Sequence, residues 1–186
     1  MSIAAIILAA GESTRLGRPK QTLQINQESL LERAVRLASE AGFSPVIAVL
    51  RDNDLIDAVQ KQGAIALLNR KSYEGMASSI RCGVEAARSF KASGVVVMTC
   101  DQPGVTADHL RALTADDAAI TGSAYAGRVG VPAYFPAASF DALLALQGNT
   151  GARELLRGAR SISNEALNLD IDTEQDFRKA QALFER

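Results

Sequence analysis

The sequence is short of cysteine, histidine and net charge, and each shortage narrows what the chain can do. Its two cysteines, Cys82 and Cys100, lack metal-ligand and redox spacing. They read as reduced thiols of a cytoplasmic protein. The one histidine, His109, falls in a predicted helix away from every motif described below and reads as structural. Twenty basic residues against 21 acidic ones leave a net charge of −1, so nothing points to nucleic acid or an anionic membrane as partner. Local cations are therefore read as site-specific. No apolar run is long enough to span a bilayer. No basic residue precedes the first apolar stretch, so a secretory leader is not expected. Repeats and low-complexity segments are missing. With 186 residues, 47% of them apolar, the chain suits one domain over 1–186 with a substantial core.

What is present is concentrated at the N-terminus. Ile3 to Ala10 is an unbroken apolar run of strand length, the pattern of a parallel strand buried on both faces. It stops at Gly11 and gives way to a loop carrying Gly11, Ser13, Arg15, Gly17, Pro19 and Lys20. Glycines let a backbone turn and present its N–H groups to an anion. Arg15 and Lys20 add a forked and a compact positive charge. Strand, glycine loop and cations together predict a polyphosphate site; the plainer reading is a surface loop with solvated cations. Two common phosphate loops are excluded. Lys20 is followed by Gln21, not Ser or Thr, and Gly11 by Glu12-Ser13, so neither a Walker A loop nor G-x-G-x-x-G fits.

Downstream, Ser29 and Glu32 have capping-box spacing ahead of a helical apolar pattern that Gly42 ends. Strands over Val46–Leu50 and Ala64–Leu68, with a helix over Asp54–Gln62 between them, complete a βαβαβ order and predict a parallel sheet. The loop Asn69–Ser79 leads into a helix with apolar face Ile80, Val84 and Ala87. Its Gly75, Ser78 and Ser79 could offer donors to a base or ribose, or simply cap that helix. Gly94–Thr99 is a buried strand ending in Cys100-Asp101-Gln102-Pro103. A carboxylate at the carboxyl end of a parallel strand lies where ligands bind and can hold Mg²⁺. A turn residue ahead of Pro103 is the alternative, but the glycine loop opposite favours the metal.

Thr106 caps a predicted helix to Leu113, and strands follow over Ala118–Tyr125 and Gly130–Phe135. Pro132 argues for an edge or irregular position. Phe140, Leu143 and Leu144 mark another helix. Gly148-Asn149-Thr150-Gly151-Ala152-Arg153 reads as a loop opening a helix, either an acceptor-side anion site using Arg153 or a plain connection. Leu167–Thr173 alternates like a half-buried strand, with Asp170 and Asp172 as candidate second metal ligands. Thr173 and Asp176 open a terminal helix burying Phe177, Ala180 and Phe184.

The block Leu8-Ala9-Ala10-Gly11, Ser13, Arg15, Gly17, Lys20 resembles the signature of nucleotidyltransferases with the nucleotide-diphospho-sugar transferase fold. Together with Gly75-Met76-x-Ser78-Ser79, Asp101-Gln102-Pro103, Gly130-x-Pro132, Gly148-x-x-Gly151-Ala152-Arg153 and Asp170-Ile171-Asp172-Thr173, it resembles molybdenum cofactor cytidylyltransferase-like proteins from end to end. The resemblance implies an α/β, Rossmann-like, three-layer α/β/α domain with a mostly parallel mixed sheet. It implies CMP transfer from CTP to molybdopterin with Mg²⁺ or Mn²⁺, pyrophosphate release, and a molybdoenzyme as recipient. Leu8 to Gly11, Ser13, Arg15, Gly17, Lys20, Gly75, Ser78 and Ser79 would bind the nucleotide. Gly148, Gly151 and Arg153 would bind the acceptor, and Asp101 with Asp172 would hold the metal. Asn149 departs from the aspartate of many relatives. Guanylyl-transferring relatives tend to carry glycine in place of Ala10. Transfer to another phosphorylated acceptor, and non-catalytic carriage of the finished cofactor, are the competing readings.

Overall fold

Strand β1 (Ile3–Ala9) lies between two apolar layers because both of its faces are apolar. Ala4, Ile6 and Leu8 face one cluster and Ala5, Ile7 and Ala9 the other. In this computed structural model, residues 2–13, 15–149 and 151–185 are described. Thr14 and Thr150, one in each glycine-bracketed loop, lie outside the described residues.

A short hairpin follows the first loop, β2 (Gln24–Ile25) and β3 (Glu28–Ser29), and leads into α1 (Leu30–Glu40). Then come β4 (Val46–Leu50), α2 (Ile56–Lys61), β5 (Ile65–Leu68), α3 (Met76–Ser89) and β6 (Gly94–Thr99). The remainder is α4 (Ala107–Leu113), β7 (Thr121–Tyr125), β8 (Arg128–Pro136), α5 (Phe140–Leu144), β9 (Arg160–Ser163) and α6 (Glu174–Phe184). The described residues form a seven-stranded sheet of order β5-β4-β1-β6-β8-β7-β9. Six of these strands run one way, and β8 runs against both its neighbours. The architecture is therefore mixed α/β with a mostly parallel sheet, as expected.

Helices cover both faces. Leu31 and Val35 of α1, Val59 of α2 and Leu110 of α4 pack on one side; Ile80 and Val84 of α3 and Phe140 of α5 pack on the other. A Cβ on Gly83 would come within 2.5 Å of Ile6, so glycine there lets α3 sit close against β1. Ile6 is fully buried, and truncating such a side chain to alanine costs roughly 2–5 kcal/mol. The expected capping box on α1 is present, with Ser29 and Glu32 satisfying each other's backbone N–H groups. A second one, Thr173 with Asp176, opens α6.

Several expectations need correction. No helix follows the 148–153 loop; residues 151–158 turn irregularly because Gly151 and Gly158 both take positive φ. Leu167–Thr173 is not a strand. Glu165–Asn168 is a single 3₁₀ turn, and Leu167 and Ile171 are buried through irregular backbone. The strand in this region is β9, which pairs parallel to β7. Of the two positions expected for Pro132 the structure has the irregular one, since β8 lies between β6 and β7 and not at an edge. The proline sits where the register jumps between Gly122/Ala133 and Ser123/Gly130, so no ladder bond is asked of its nitrogen. Helix α3 begins at Met76, with Ser78 and Ser79 inside its first turn and Gly75 at the cap. Neither serine caps it.

Candidate active site

Register brings the site together. Leu8 of β1 pairs with Thr99 of β6, so the glycine loop after β1 and the Cys100-Asp101 turn after β6 leave the same edge of the sheet side by side. The loop is shaped from within. Ser13, at φ +50°, accepts the N–H groups of Leu16 and Gly17 on its carbonyl at 3.0 and 3.2 Å, and its hydroxyl accepts the Lys20 N–H at 3.1 Å. Gln21 is buried, and its carboxamide nitrogen donates to the carbonyls of Ala9 (2.7 Å) and Gly11 (3.2 Å). This clasp holds the first turn of the loop from beneath.

Lys20 comes off that turn to form an ion pair with Asp101 and lies 3.3 Å from Asp172. Arg15 reaches Asp172 at 2.7 Å. The tail is docked here because the Ile171 N–H donates to the Asp101 carbonyl at 2.9 Å. Burial alone would lower the Lys20 ammonium, but the Asp101 carboxylate, with Asp172 behind it, turns the net shift upward, so the lysine stays charged. Asp170, two residues from Asp172, is pushed up to about 6 by burial and by Asp101, against the Arg128 charge 3.6 Å away. The buried Cys100 thiol is pushed up to about 12 by burial, which leaves it a packing residue.

Two clefts meet at Asp101. The larger, about 560 Å³, is lined by Ala10, Gly11, Lys20, Tyr73, Gly75 and Ser79 among others. The smaller, about 230 Å³, is bounded by Arg128, Gly130, Gly151, Arg153 and Asp170. Met76, Thr99 and Asp101 line both. A crevice beside them joins Ser13, Arg15, Lys20 and Asp172.

Of the residues singled out in the sequence, Leu8, Ala10, Gly11, Lys20, Gly75, Ser79 and Asp101 are thus gathered around the larger cleft, and Gly151 and Arg153 line the smaller. Others stand behind the walls. The Ala9 carbonyl is taken by Gln21, and Gly17 makes the turn of the loop at φ +72°. The Ser78 hydroxyl accepts from Asn69 at 2.8 Å and lies within hydrogen-bond distance of the Lys71 and Gly75 carbonyls. Gly148 and Asn149 do not open a helix. They cap α3 from outside, the Gly148 carbonyl accepting the Ala77 N–H at 3.0 Å and Asn149 Oδ1 the Met76 N–H at 3.3 Å. Sequence reasoning missed Gln21 and Asn69. Asn69 donates to both Ser78 and Ser79, and a buried polar residue followed by a turn was its one visible signal.

A divalent cation suits this donor set. Asp101 and Asp172 present hard oxygens to the same ammonium, and magnesium is commonly held by one or two carboxylates with substrate phosphates supplying the rest. Among the described residues no group of three or more His, Cys, Asp or Glu is placed to hold a metal ion, so the protein by itself would supply only part of a coordination shell.

Residues 5–166 match the family described as the MobA-like NTP transferase domain. The chain belongs to that family. As a MobA-like NTP transferase it is a nucleotidyltransferase. Purine catabolism protein PucB of Bacillus subtilis is 28% identical, with 92% of each chain covered. Molybdenum cofactor cytidylyltransferase of Escherichia coli is 29% identical, with 97% of this chain and 96% of that one covered. A probable molybdenum cofactor guanylyltransferase of Opitutus terrae is 29% identical over 57% of this chain and 51% of its own. The crystal structure of Rv0371c from Mycobacterium tuberculosis superposes with a TM-score of 0.82 at 30% identity, covering 98% of both chains. A manganese complex of that protein gives 0.77 at 29%, covering 98% and 99%. Among the described residues, no helix of this MobA-like transferase is long and apolar enough to cross a membrane.

Proposed function

We propose that this MobA-like transferase moves CMP from CTP to the terminal phosphate of molybdopterin and releases pyrophosphate. One observation carries the reading. Lys20 pairs with Asp101 and approaches Asp172, which Arg15 also holds, and Asp101 stands where the two clefts join. That places cations and carboxylates between a cavity of nucleotide size and a second cavity bearing Arg128 and Arg153. Cytidylyl transfer is supported by similarity to the E. coli cytidylyltransferase over nearly the whole of both chains, against about half for the guanylyltransferase.

The nucleophile is a phosphate monoester, mostly ionised at neutral pH with a second pKa near 6, so no general base is required. Its oxygen forms the new bond to the α-phosphorus of CTP as the bond to the β-phosphate oxygen breaks, and pyrophosphate carries away the electron pair. Arg15 and Lys20 hold the triphosphate and offset its charge as the two anions are brought together. Polyphosphate oxygens compete with Asp101 and Asp172 for Lys20, leaving those carboxylates open to a cation. Asp101 and Asp172 would then hold a divalent cation, which when bound neutralises phosphate charge. Gly151 and Arg153 face the acceptor phosphate across Asp101.

The test is pyrophosphate release with each of the four ribonucleoside triphosphates against molybdopterin and several sugar phosphates, with Mg²⁺ or Mn²⁺. Turnover is expected with CTP and molybdopterin. Turnover confined to GTP, or to a sugar phosphate, reassigns the substrate; tight binding of the finished cofactor without pyrophosphate release makes the protein a carrier.

A further inference from the structure

Four large apolar side chains are strongly exposed among the described residues, and two of them, Tyr73 and Met76, stand three positions apart on the rim of the larger cleft. Isolated exposed apolar residues are ordinary; two converging on a ligand-sized cavity are a surface waiting for cover. Tyr73 is 78% exposed and sits in the 3₁₀ turn Ser72–Glu74. Gly75 follows at φ +101°, with Met76 next. Tyr73 and Met76 line the same cleft as Gly11 and Lys20, whose backbone N–H groups and ammonium suit the phosphates. A nucleotide with its phosphates at Lys20 would extend its base toward Tyr73. The other two tyrosines, Tyr125 and Tyr134, are buried. Two polar side chains of the same cleft are already engaged: Ser79 is buried and bonded to Asn69, and Asn149 is bonded to the Met76 N–H.

We propose that the Tyr73 ring stacks on the nucleobase of the bound triphosphate, with Met76 packing beside it, and so supplies base affinity that the phosphate loop cannot. The inference rests on the larger cleft being the nucleotide site of the proposed function. Stacking recognises a π-face rather than an edge, so it adds affinity for every base and leaves the choice among bases to groups deeper in the cleft.

The chain has no tryptophan, so Tyr73→Trp introduces a single selectively excited reporter at an exposed position where folding is not at stake. Titration with CTP, and separately with GTP, ATP and UTP, is expected to quench that emission saturably. Calorimetry on Tyr73→Ala is expected to show CTP binding weakened about tenfold, with Tyr73→Phe restoring it. A reporter that stays unchanged while calorimetry records CTP binding, or an alanine variant with wild-type affinity, overturns the stack. These results separate from those on the substrates: quenching by a nucleotide that is not transferred to molybdopterin upholds the stack and defeats the cytidylyl reading. Transfer from CTP with no change at position 73 does the reverse.

Discussion

Lys20 and Asp101, 81 residues apart in sequence, form an ion pair at the edge where β1 and β6 end. With Asp172 on the same ammonium, the lysine holds together two carboxylates that would otherwise repel. Lys20→Met is therefore expected to lower the melting temperature in metal-free buffer, and added Mg²⁺ to recover it, because a cation bound to the folded state stabilises it by mass action. Thermal melts with and without Mg²⁺ check this. Activity should fall about 10²–10³-fold, the usual scale for removing one preorganised charge-stabilising donor. A variant with wild-type turnover would remove Lys20 from the site.

Gly75 is expected to tolerate no side chain. A Cβ there would lie 2.3 Å from Asn149 Oδ1 and 2.7 Å from the Gly148 carbonyl, on a backbone at φ +101°. Gly75→Ala should cost about 2 kcal/mol or more in urea unfolding and displace the 148–151 loop, raising the KM for both substrates. Urea midpoints and steady-state kinetics read both effects.

His109 predicts an acid-side loss of stability. Ser123 donates its one hydroxyl proton to the Pro132 carbonyl at 2.6 Å, so the contact at 2.8 Å must have His109 Nε2 as donor to Ser123. Burial lowers the imidazole below its ordinary 6.5. A base depressed in the fold binds its proton more readily when unfolded. Its contribution is thus present above pH 6.5 and lost as pH falls from there through the lowered folded-state value, by up to about 1.4 kcal/mol per pH unit. Stability between pH 7 and 5 in wild type and His109→Gln measures it; the variant should show a shallower slope.

Much of this was legible in the chain, for specific reasons. The apolar run Ile3–Ala10 could only be a strand covered on both faces, and the Ser29/Glu32 and Thr173/Asp176 pairs carry their capping chemistry in their spacing. The Arg15, Lys20 and Asp101 constellation was readable because motif and strand order fix which loops share an edge. What escaped lacks periodicity. Gln21 clasping Ala9, and Asn69 holding Ser78 and Ser79, are side-chain bonds that leave no repeating pattern. The alternation of Leu167, Leu169 and Ile171 imitated a strand, but this stretch is pinned by Gln102 donating to the Leu167 carbonyl and by Ile171 bonding Asp101, not by a ladder.

The proposed preference for CTP over GTP is expected to involve Ala10. Ala10 is in the cleft wall next to Gly11, where an added Cβ leaves less room for a purine. Ala10→Gly is expected to raise the turnover of GTP relative to CTP. The ratio of kcat/KM for the two nucleotides reads this, and an unchanged ratio would make the Cβ irrelevant.

In the proposed reaction one triphosphate is held by Arg15, Lys20, Asp101 and Asp172 while its α-phosphate changes hands. Following CTP labelled at the α-phosphorus in the presence of Mg²⁺ and molybdopterin tests it most directly, in the wild type and in Asp101→Ala. The label is expected to pass to the acceptor with stoichiometric pyrophosphate in the wild type, and most of that transfer to vanish in the variant. Label transfer at near-wild-type rate without the Asp101 carboxylate would contradict the proposed reaction.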